Sequence, residues 1–342
     1  MDGEGICAGE YMVETKGITD DMSNNILILS CGTRDLLVRY FKRADYERVI
    51  GADCSELAPA LYEADKYYLI PRMKEEGYFD AILEICRKEG ITAILPLQED
   101  ELNLISENRE LFEQEGIRTI VSPVETLQIC RDKYCFFEHM TEHGIPVLNS
   151  YIDLDKFEKA YEAGKIGFPV FVKPVRGAGS VGVMKVSCME LLKALFAYSE
   201  EPLLIQEFCN GREFGIDVYV DLVSGEVVDV FMKEKLRMRA GETEKSVTSN
   251  DPALKEFVYR AASTLKLSGP VDMDVFEKDG IFYLSEINPR FGGGFPHAYA
   301  CGVDTPSYIL QNLQGIANES HLQEKREEIY VLKYSDILCI DR

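Results

Sequence analysis

Pro270 to Gly294 reads PVDMDVFEKDGIFYLSEINPRFGGG. Val271 to Phe276 and Ile281 to Ile287 have the β-branched and aromatic character of strands, and Lys278, Asp279 and Gly280 between them predict a three-residue turn with its Gly in the left-handed region. Pairing Glu277 with Ile281 sets Asp272 opposite Glu286, and the period of a strand puts Asp274, Leu284 and Asn288 on that same face. That face is acidic. Crowded carboxylates repel unless a cation lies between them, and hard oxygen ligands suit Mg²⁺ or Mn²⁺; a solvated hairpin with ordinary surface charges is the alternative. Arg290 follows Pro289, where the strand stops.

The 342 residues carry a formal net charge of −22. Nucleic-acid phosphates or an anionic membrane would be repelled over much of such a surface, so neither is expected as a partner. The length suggests two or three domains. Ten cysteines stand singly, with no CxxC pair and no Cys/His spacing fit for zinc, and read as reduced, mostly buried thiols. Residues 1–21 lack the basic and apolar regions of a signal peptide. A cytoplasmic protein with a disordered acidic tail over residues 1–24 is expected, Met22 being an alternative start.

From residue 25 strands and helices alternate. Asn25 to Ser30, Arg48 to Asp53, Thr92 to Leu95 and Arg118 to Val121 read as strands, and Asp35 to Arg43, Tyr78 to Glu89 and Glu101 to Glu115 as helices. Together they predict an open doubly wound sheet over residues 25–122, with ligands beyond the carboxyl ends of its strands at Cys31 to Arg34, Asp53 to Ser55 and Gln98 to Asp100. Only Gly32 follows the first strand, so the GxGxxG fingerprint of a dinucleotide oxidoreductase is missing and Gly32 reads as a tight turn.

A helix over Glu125 to His143 carries Lys133. Phe168 to Lys173 is a strand with a cation at its end, and Arg176-Gly177-Ala178-Gly179-Ser180-Val181-Gly182 joins it to a second strand, Val183 to Val186. A glycine loop between two strands is not a P-loop, which opens a helix; it suits a flap whose bare N–H groups cover phosphates, or a plain glycine-rich turn. Glu201 to Cys209 and Gly211 to Asp221 are further strands, offering Gln206 to Cys209 as an edge for adenine and Glu213 for ribose hydroxyls. In Phe231 to Arg239, Lys233, Lys235, Arg237 and Arg239 share one face of a strand. In so acidic a chain four aligned cations imply an anionic ligand, or else a basic edge that guards against aggregation.

In this order the pieces resemble the ATP-grasp superfamily, in the branch of the carbamoyl-phosphate synthetase large subunit and the amino-acid ligases. The resemblance runs from about residue 25 to the C-terminus, and its most specific motif is E-x-N-P-R at Glu286, Asn288, Pro289 and Arg290, with Asp274 twelve residues before Glu286. It implies an α/β chain: a Rossmann-like domain over 25–122, a linker helix and small subdomain with the glycine flap over 123–202, and a C-terminal subdomain with the metal site over 203–342. ATP would be bound by Lys133 and Lys173, by Gly179 and Ser180 of the flap, by Glu207, Phe208 and Cys209 at the adenine, and by Glu213 at the ribose. Asp274, Glu286 and Asn288 would hold two Mg²⁺ or Mn²⁺ ions. Arg290, with Lys235 and Arg239, would stabilise charge during phosphoryl transfer.

The implied reaction passes the γ-phosphoryl of ATP to a carboxylate and lets an amine or thiol displace phosphate; a homodimer is one assembly it allows. Arg239, Lys245 and Arg290 could hold the substrate carboxylate, with Thr33, Arg34 and Asp53 as the far wall. Backbone N–H groups near Gly293 would approach the acyl oxygen, and His297 would either take a proton from the amine or make a structural hydrogen bond. A single-half enzyme of the carbamoyl-phosphate synthetase kind and a non-catalytic ATP sensor are the alternatives.

Overall fold

The computed structural model describes residues 24–177, 179, 181–239, 241–321 and 328–340. Residues 1–23 and Ser180, for which the sequence raises expectations, lie outside that set. No helix among the described residues is long and apolar enough to cross a membrane.

Strands Asn25–Leu29 (β1), Arg48–Asp53 (β2), Lys66–Leu69 (β3), Ala93–Pro96 (β4) and Arg118–Thr119 (β5) form a parallel sheet in the order β3-β2-β1-β4-β5. Alternation along β1 sends Ile26 and Ile28 into one core and Leu27 and Leu29 into another, so both faces are covered. The strand β3, KYYL, is half polar and largely exposed at the sheet edge, which is why no apolar run marks it. The helix expected over Glu101 to Glu115 is two, Glu99–Glu107 and Arg109–Gln114, broken at Asn108, whose side-chain amide donates to the Leu104 carbonyl at 2.8 Å.

A small antiparallel sheet, β6-β9-β7-β8, comprises Ser150–Tyr151 (β6), Val170–Pro174 (β7), Met184–Val186 (β8) and Leu203–Glu207 (β9), and the glycine loop joins β7 to β8. The expected Glu125 to His143 helix is also two, Val124–Arg131 and Lys133–Glu142. Asp132 between them is extended and accepts the N–H groups of Tyr134 and Cys135, so it caps the second helix and makes Lys133 its first residue.

The largest sheet holds Arg212–Val220 (β10), Val227–Arg239 (β11), Glu242–Ser249 (β12), Gly269–Lys278 (β13), Ile281–Asn288 (β14) and Tyr330–Leu332 (β15), in the antiparallel order β14-β13-β10-β11-β12-β15. One face buries Phe214, Ile216, Met273, Val275, Leu284 and Ile287 against Leu254, Phe257 and Ala261 of helix Pro252–Ala262; each large apolar side chain contributes roughly 1.5–3 kcal/mol. The other face carries the polar site.

Two register details correct the sequence reading. The β13–β14 turn is the two residues Asp279 and Gly280, with φ of 54° and 77°, so Lys278 pairs with Ile281; Asp-Gly is favoured where both central residues need positive φ. A bulge at Ser285 then shifts the ladder again, placing Asp274 opposite Glu286 and Asp272 opposite Asn288. Leu284, before the bulge, turns into the core. In β11 a similar shift at Leu236 breaks the stripe of four cations: Lys233 and Lys235 keep the site face, whereas Arg237 and Arg239 swing out to pair with Glu244.

The first sheet is fastened to the residues that follow the E-x-N-P-R motif. Phe41 meets Phe291 edge-on with centroids 5.9 Å apart, Tyr40 stacks on Tyr299 at 3.7 Å, and the Tyr46 hydroxyl donates to the Pro306 carbonyl at 3.0 Å. Among the nine cysteines described none is paired, and four of them, Cys54, Cys135, Cys188 and Cys339, are exposed rather than buried.

Candidate active site

A cavity of about 390 Å³ opens between the three sheets, with Asp272, Asp274, Glu286 and Asn288 of the hairpin on one wall. Asp274 and Glu286 face each other as a cross-strand pair. Burial pushes the Asp274 carboxyl well above its ordinary value and the charges of Asp272 and Glu286 push the same way, while Lys235, 2.6 Å away, works against them. Burial also opposes ionisation of Glu286. There, however, the hydrogen bond from Asn288 at 3.1 Å and the charges of Lys173, Lys235 and Lys133 prevail and hold it below the usual range. The pair therefore divides its proton unequally, Asp274 taking it more readily.

Three lysines from three segments answer these acids. Lys235 bridges Asp274 and Glu213, at 2.6 and 2.9 Å, with only 5% of its side chain exposed. Lys173 donates to Gln206 Oε1 at 2.9 Å, and burial lowers its ammonium to about 8. Lys133, at the helix start, donates to the Gly177 carbonyl at 2.6 Å and so touches the glycine loop; burial lowers it too. Gly177 and Gly179 both have positive φ and line the cavity. Lys233 is the odd one, buried and ion-paired with Asp217.

The carboxylate and amide oxygens here are hard donors of the kind Mg²⁺ or Mn²⁺ takes. Among the described residues no three or more His, Cys, Asp and Glu side chains form a metal-holding group. The metal ligands anticipated from sequence, Asp274, Glu286 and Asn288, are two carboxylates and an amide on this wall.

Of the remaining residues anticipated from sequence, Glu207, Cys209 and Glu213 line the cavity, as do Arg290, Arg34 and Gly293. Glu207 is fixed by Asn149 at 2.8 Å. Phe208 is not among the lining residues; its ring packs edge-on against Phe171, which is, and lies under Lys185, whose ammonium is 3.8 Å from its centroid. Arg239 and Lys245 are not among the lining residues, because the β11 bulge turns that edge outward. Asp53 accepts the N–H groups of Gly32 and Ser55 and stays below the cavity, and Thr33 reaches only a side pocket. His297 is buried, sharing a 2.5 Å hydrogen bond through Nδ1 with Ser246, and burial lowers it to about 4. Its structural reading is the one the packing favours.

Sequence reading placed Asp272 on the acidic face but gave it no role, and it missed Glu242 and Lys333. Asp272 lies 3.7 Å from Arg290 and 3.4 Å from the Asn288 amide; the period of the strand from Asp274 signals it. Glu242 lies 3.5 Å from Arg34 and 2.5 Å from Lys333, where no local pattern points to it. Each glycine of Gly292-Gly293-Gly294 abuts one charged side chain: Asp272, Glu242 and Lys233 respectively.

Two family models match the chain: the PylC-like N-terminal domain over residues 26–120, and the ATP-grasp of the biosynthetic pathway with Ter operon over residues 199–337. The D-alanine–D-alanine ligase of Geobacillus thermodenitrificans is 29% identical over 211 residues, covering 54% of this chain and 58% of that protein. The arginine-specific carbamoyl phosphate synthase large chain of Bacillus subtilis is 26% identical over 196 residues, covering 53% of this chain but 18% of that protein. The chain thus spans less than two thirds of the length of either relative. Among solved structures, N5-carboxyaminoimidazole synthetase from Staphylococcus aureus with ADP superposes with a TM-score of 0.70 at 18% identity, over 87% of this chain and 79% of that one. The biotin carboxylase domain of the Hydrogenobacter thermophilus 2-oxoglutarate carboxylase does so with 0.71 at 20%, over 91% and 74%. With its parallel N-terminal sheet, its glycine-loop sheet and its acidic hairpin in this order, the chain has the ATP-grasp fold, and its residues 199–337 match an ATP-grasp family model.

Proposed function

We propose that the protein is an ATP- and Mg²⁺-dependent ligase that activates a carboxylate as its acyl phosphate, passes the acyl group to an amine or thiol, and releases ADP and phosphate. The observation that carries this reading is the charge layout of one cavity. The facing carboxylates Asp274 and Glu286 are ringed by Lys133, Lys173 and Lys235, and a second set of cations, Arg34 and Arg290, stands apart from them, each beside its own acid. A site for one anion needs one set of cations; a site that brings a phosphoryl group and a carboxylate together needs both.

Lys133 and Lys173 would hold the phosphates under the glycine loop, with Glu213 and Glu207 towards the ribose and base. Asp274, Glu286 and Asn288 would hold Mg²⁺ or Mn²⁺, which neutralises phosphate charge when bound. Arg290, on a backbone fixed by the Phe291 packing, would steady the carboxylate in line with the terminal phosphorus. A carboxylate oxygen attacks that phosphorus, and its bond to the bridging oxygen breaks with ADP leaving. The amine or thiol then adds to the acyl carbon, the carbon–oxygen bond breaks, and phosphate departs with that oxygen while the nucleophile's proton passes to solvent. The names of the relatives agree with a ligase without naming its substrates. Phosphate release measured over a library of amino acids and carboxylic acids, singly and in pairs, tests the reading: release that requires ATP, Mg²⁺ and one acid–amine pair supports it, and release indifferent to every pair contradicts it.

A further inference from the structure

The substrate end of the cavity adjoins a second, smaller pocket on the side of the first sheet; Arg34, Glu242 and Gly293 line both. That second pocket also contains Lys333, from the C-terminal segment. Backbone pairing fixes its position. Val331 pairs with Ser246, Leu332 with Lys245, and the Lys333 N–H donates to the Glu244 carbonyl at 2.8 Å. Strand alternation then turns Tyr330 and Leu332 to the surface, 67% and 58% exposed, and Lys333 inward. Its ammonium meets Glu242 at 2.5 Å and the Gly293 carbonyl at 3.3 Å.

Glu242 thus has its carboxylate between two cations from distant parts of the chain, Arg34 and Lys333. Arg290 and the acids Asp272 and Glu99 lie beside them, so the cations Arg34, Lys333 and Arg290 are matched by Glu242, Asp272 and Glu99. A ligand carrying a carboxylate alone would add an unmatched charge. One carrying a carboxylate and an ammonium on neighbouring atoms would exchange ion pairs without changing the local balance, which favours it in a partly desolvated site.

We propose that Lys333 is a substrate-positioning residue: with Arg34 it forms a two-pronged carboxylate clamp whose place Glu242 holds in the free protein, and Glu242 receives the ammonium of the zwitterionic ligand that displaces it. The chemistry of the occupant rests on the ligase reading above. The clamp explains why the C-terminal strand lies on the edge of β12, and why position 293 is Gly: a Cβ there would lie 2.8 Å from Glu242 Cγ.

The test uses the full chain with ADP and Mg²⁺, titrated with each common amino acid and with its deaminated acid, and reads binding by calorimetry and phosphate release with ATP in parallel. At least one zwitterion binds the wild type, more tightly than its deaminated partner. K333M weakens that binding tenfold or more with the KM for ATP unchanged within twofold, K333R restores most of it, and E242Q removes the preference for the zwitterion. Binding of no zwitterion, an unchanged affinity in K333M, or equal losses for ATP and amino acid would each overturn the clamp. The two readings fail separately. Lys333-dependent binding without phosphate release refutes the ligase and leaves the clamp standing, whereas phosphate release indifferent to K333M refutes the clamp alone.

Discussion

Gly293 and Glu242 are fitted to each other: a Cβ on Gly293 would lie 2.8 Å from Glu242 Cγ, where real Cβ atoms are not found. The backbone at Gly293 is not in the left-handed region, so space alone excludes a side chain. Gly293→Ala should therefore cost about 1–3 kcal/mol of stability through overpacking. In a Glu242→Ala background most of that cost should vanish, because the clashing atom is gone. Denaturant unfolding of the four proteins in this cycle measures the coupling; equal costs in both backgrounds would contradict the fit.

The hairpin acids should respond in opposite directions to neutralisation. Asp274 is held above its ordinary value, so it binds more protons folded than unfolded, and its contribution to stability is present at low pH and lost as pH rises through its raised folded value. Asp274→Asn should hold or raise the metal-free melting temperature at pH 7 and flatten that loss. Glu286, held below its ordinary value, stabilises when ionised, so Glu286→Gln should lower the melting temperature. Both variants should lose a hundredfold or more of metal-dependent ATP turnover. Calorimetry without metal across pH 4–8, set beside turnover with Mg²⁺, checks the contrast, and identical shifts in the two variants would count against it.

Lys173 gives the site a basic limb. Burial lowers its ammonium to about 8, so it stays charged below that pH and loses its charge above it. The kcat/KM for ATP, which follows the free enzyme, should be flat to about pH 7.5 and then fall towards tenfold per unit. Lys173→Arg should bind ATP less well at pH 7 but show no such fall, since a guanidinium does not titrate there. A wild-type profile flat to pH 9.5 would contradict the lowered ammonium of Lys173, and unchanged ATP kinetics in Lys173→Arg would remove Lys173 from the phosphates.

The glycine loop can be tested at Gly179, where φ is +66° and a Cβ would meet nothing within 4 Å. Gly179→Val is strained by backbone conformation alone, about 1–2 kcal/mol in the left-handed region, and should push the loop away from this path. The KM for ATP should rise several-fold and kcat fall, with the melting temperature within about 2 °C of wild type. Unchanged ATP kinetics would make the loop a turn and nothing more.

Much of this was legible in the sequence, and the reasons differ by element. The bounds of helices Asp35–Arg43 and Tyr78–Glu89 and of strand Arg48–Asp53 follow apolar periodicity, which local sequence carries. The acidic face of the hairpin was legible because Asp272 and Asp274, and Glu286 and Asn288, keep a strand's period within their own strands. Their partners across the ladder were not. The two-residue turn sets Leu284 opposite Val275, towards the core, and the bulge at Ser285, which has no residue signature, then sets Glu286 opposite Asp274. The same blindness put Arg239 and Lys245 in the site, since a shift at Leu236 is a property of two strands together. Glu242 and Lys333 are 91 positions apart, and only the pairing of β12 with β15 brings them to Arg34.

The most direct test of the ligase reading follows an oxygen atom. If the terminal phosphoryl group is transferred to a carboxylate, one carboxylate oxygen bridges carbon and phosphorus and leaves with the phosphate when the amine or thiol displaces it. Turnover of an ¹⁸O-labelled carboxylate, with the acid–amine or acid–thiol pair that supports phosphate release, should give unlabelled ADP and inorganic phosphate carrying one ¹⁸O by mass spectrometry. Formation of pyrophosphate and AMP, with the label in the AMP phosphate, would show an adenylate route and contradict the assignment of the hairpin and its lysines to the terminal phosphate.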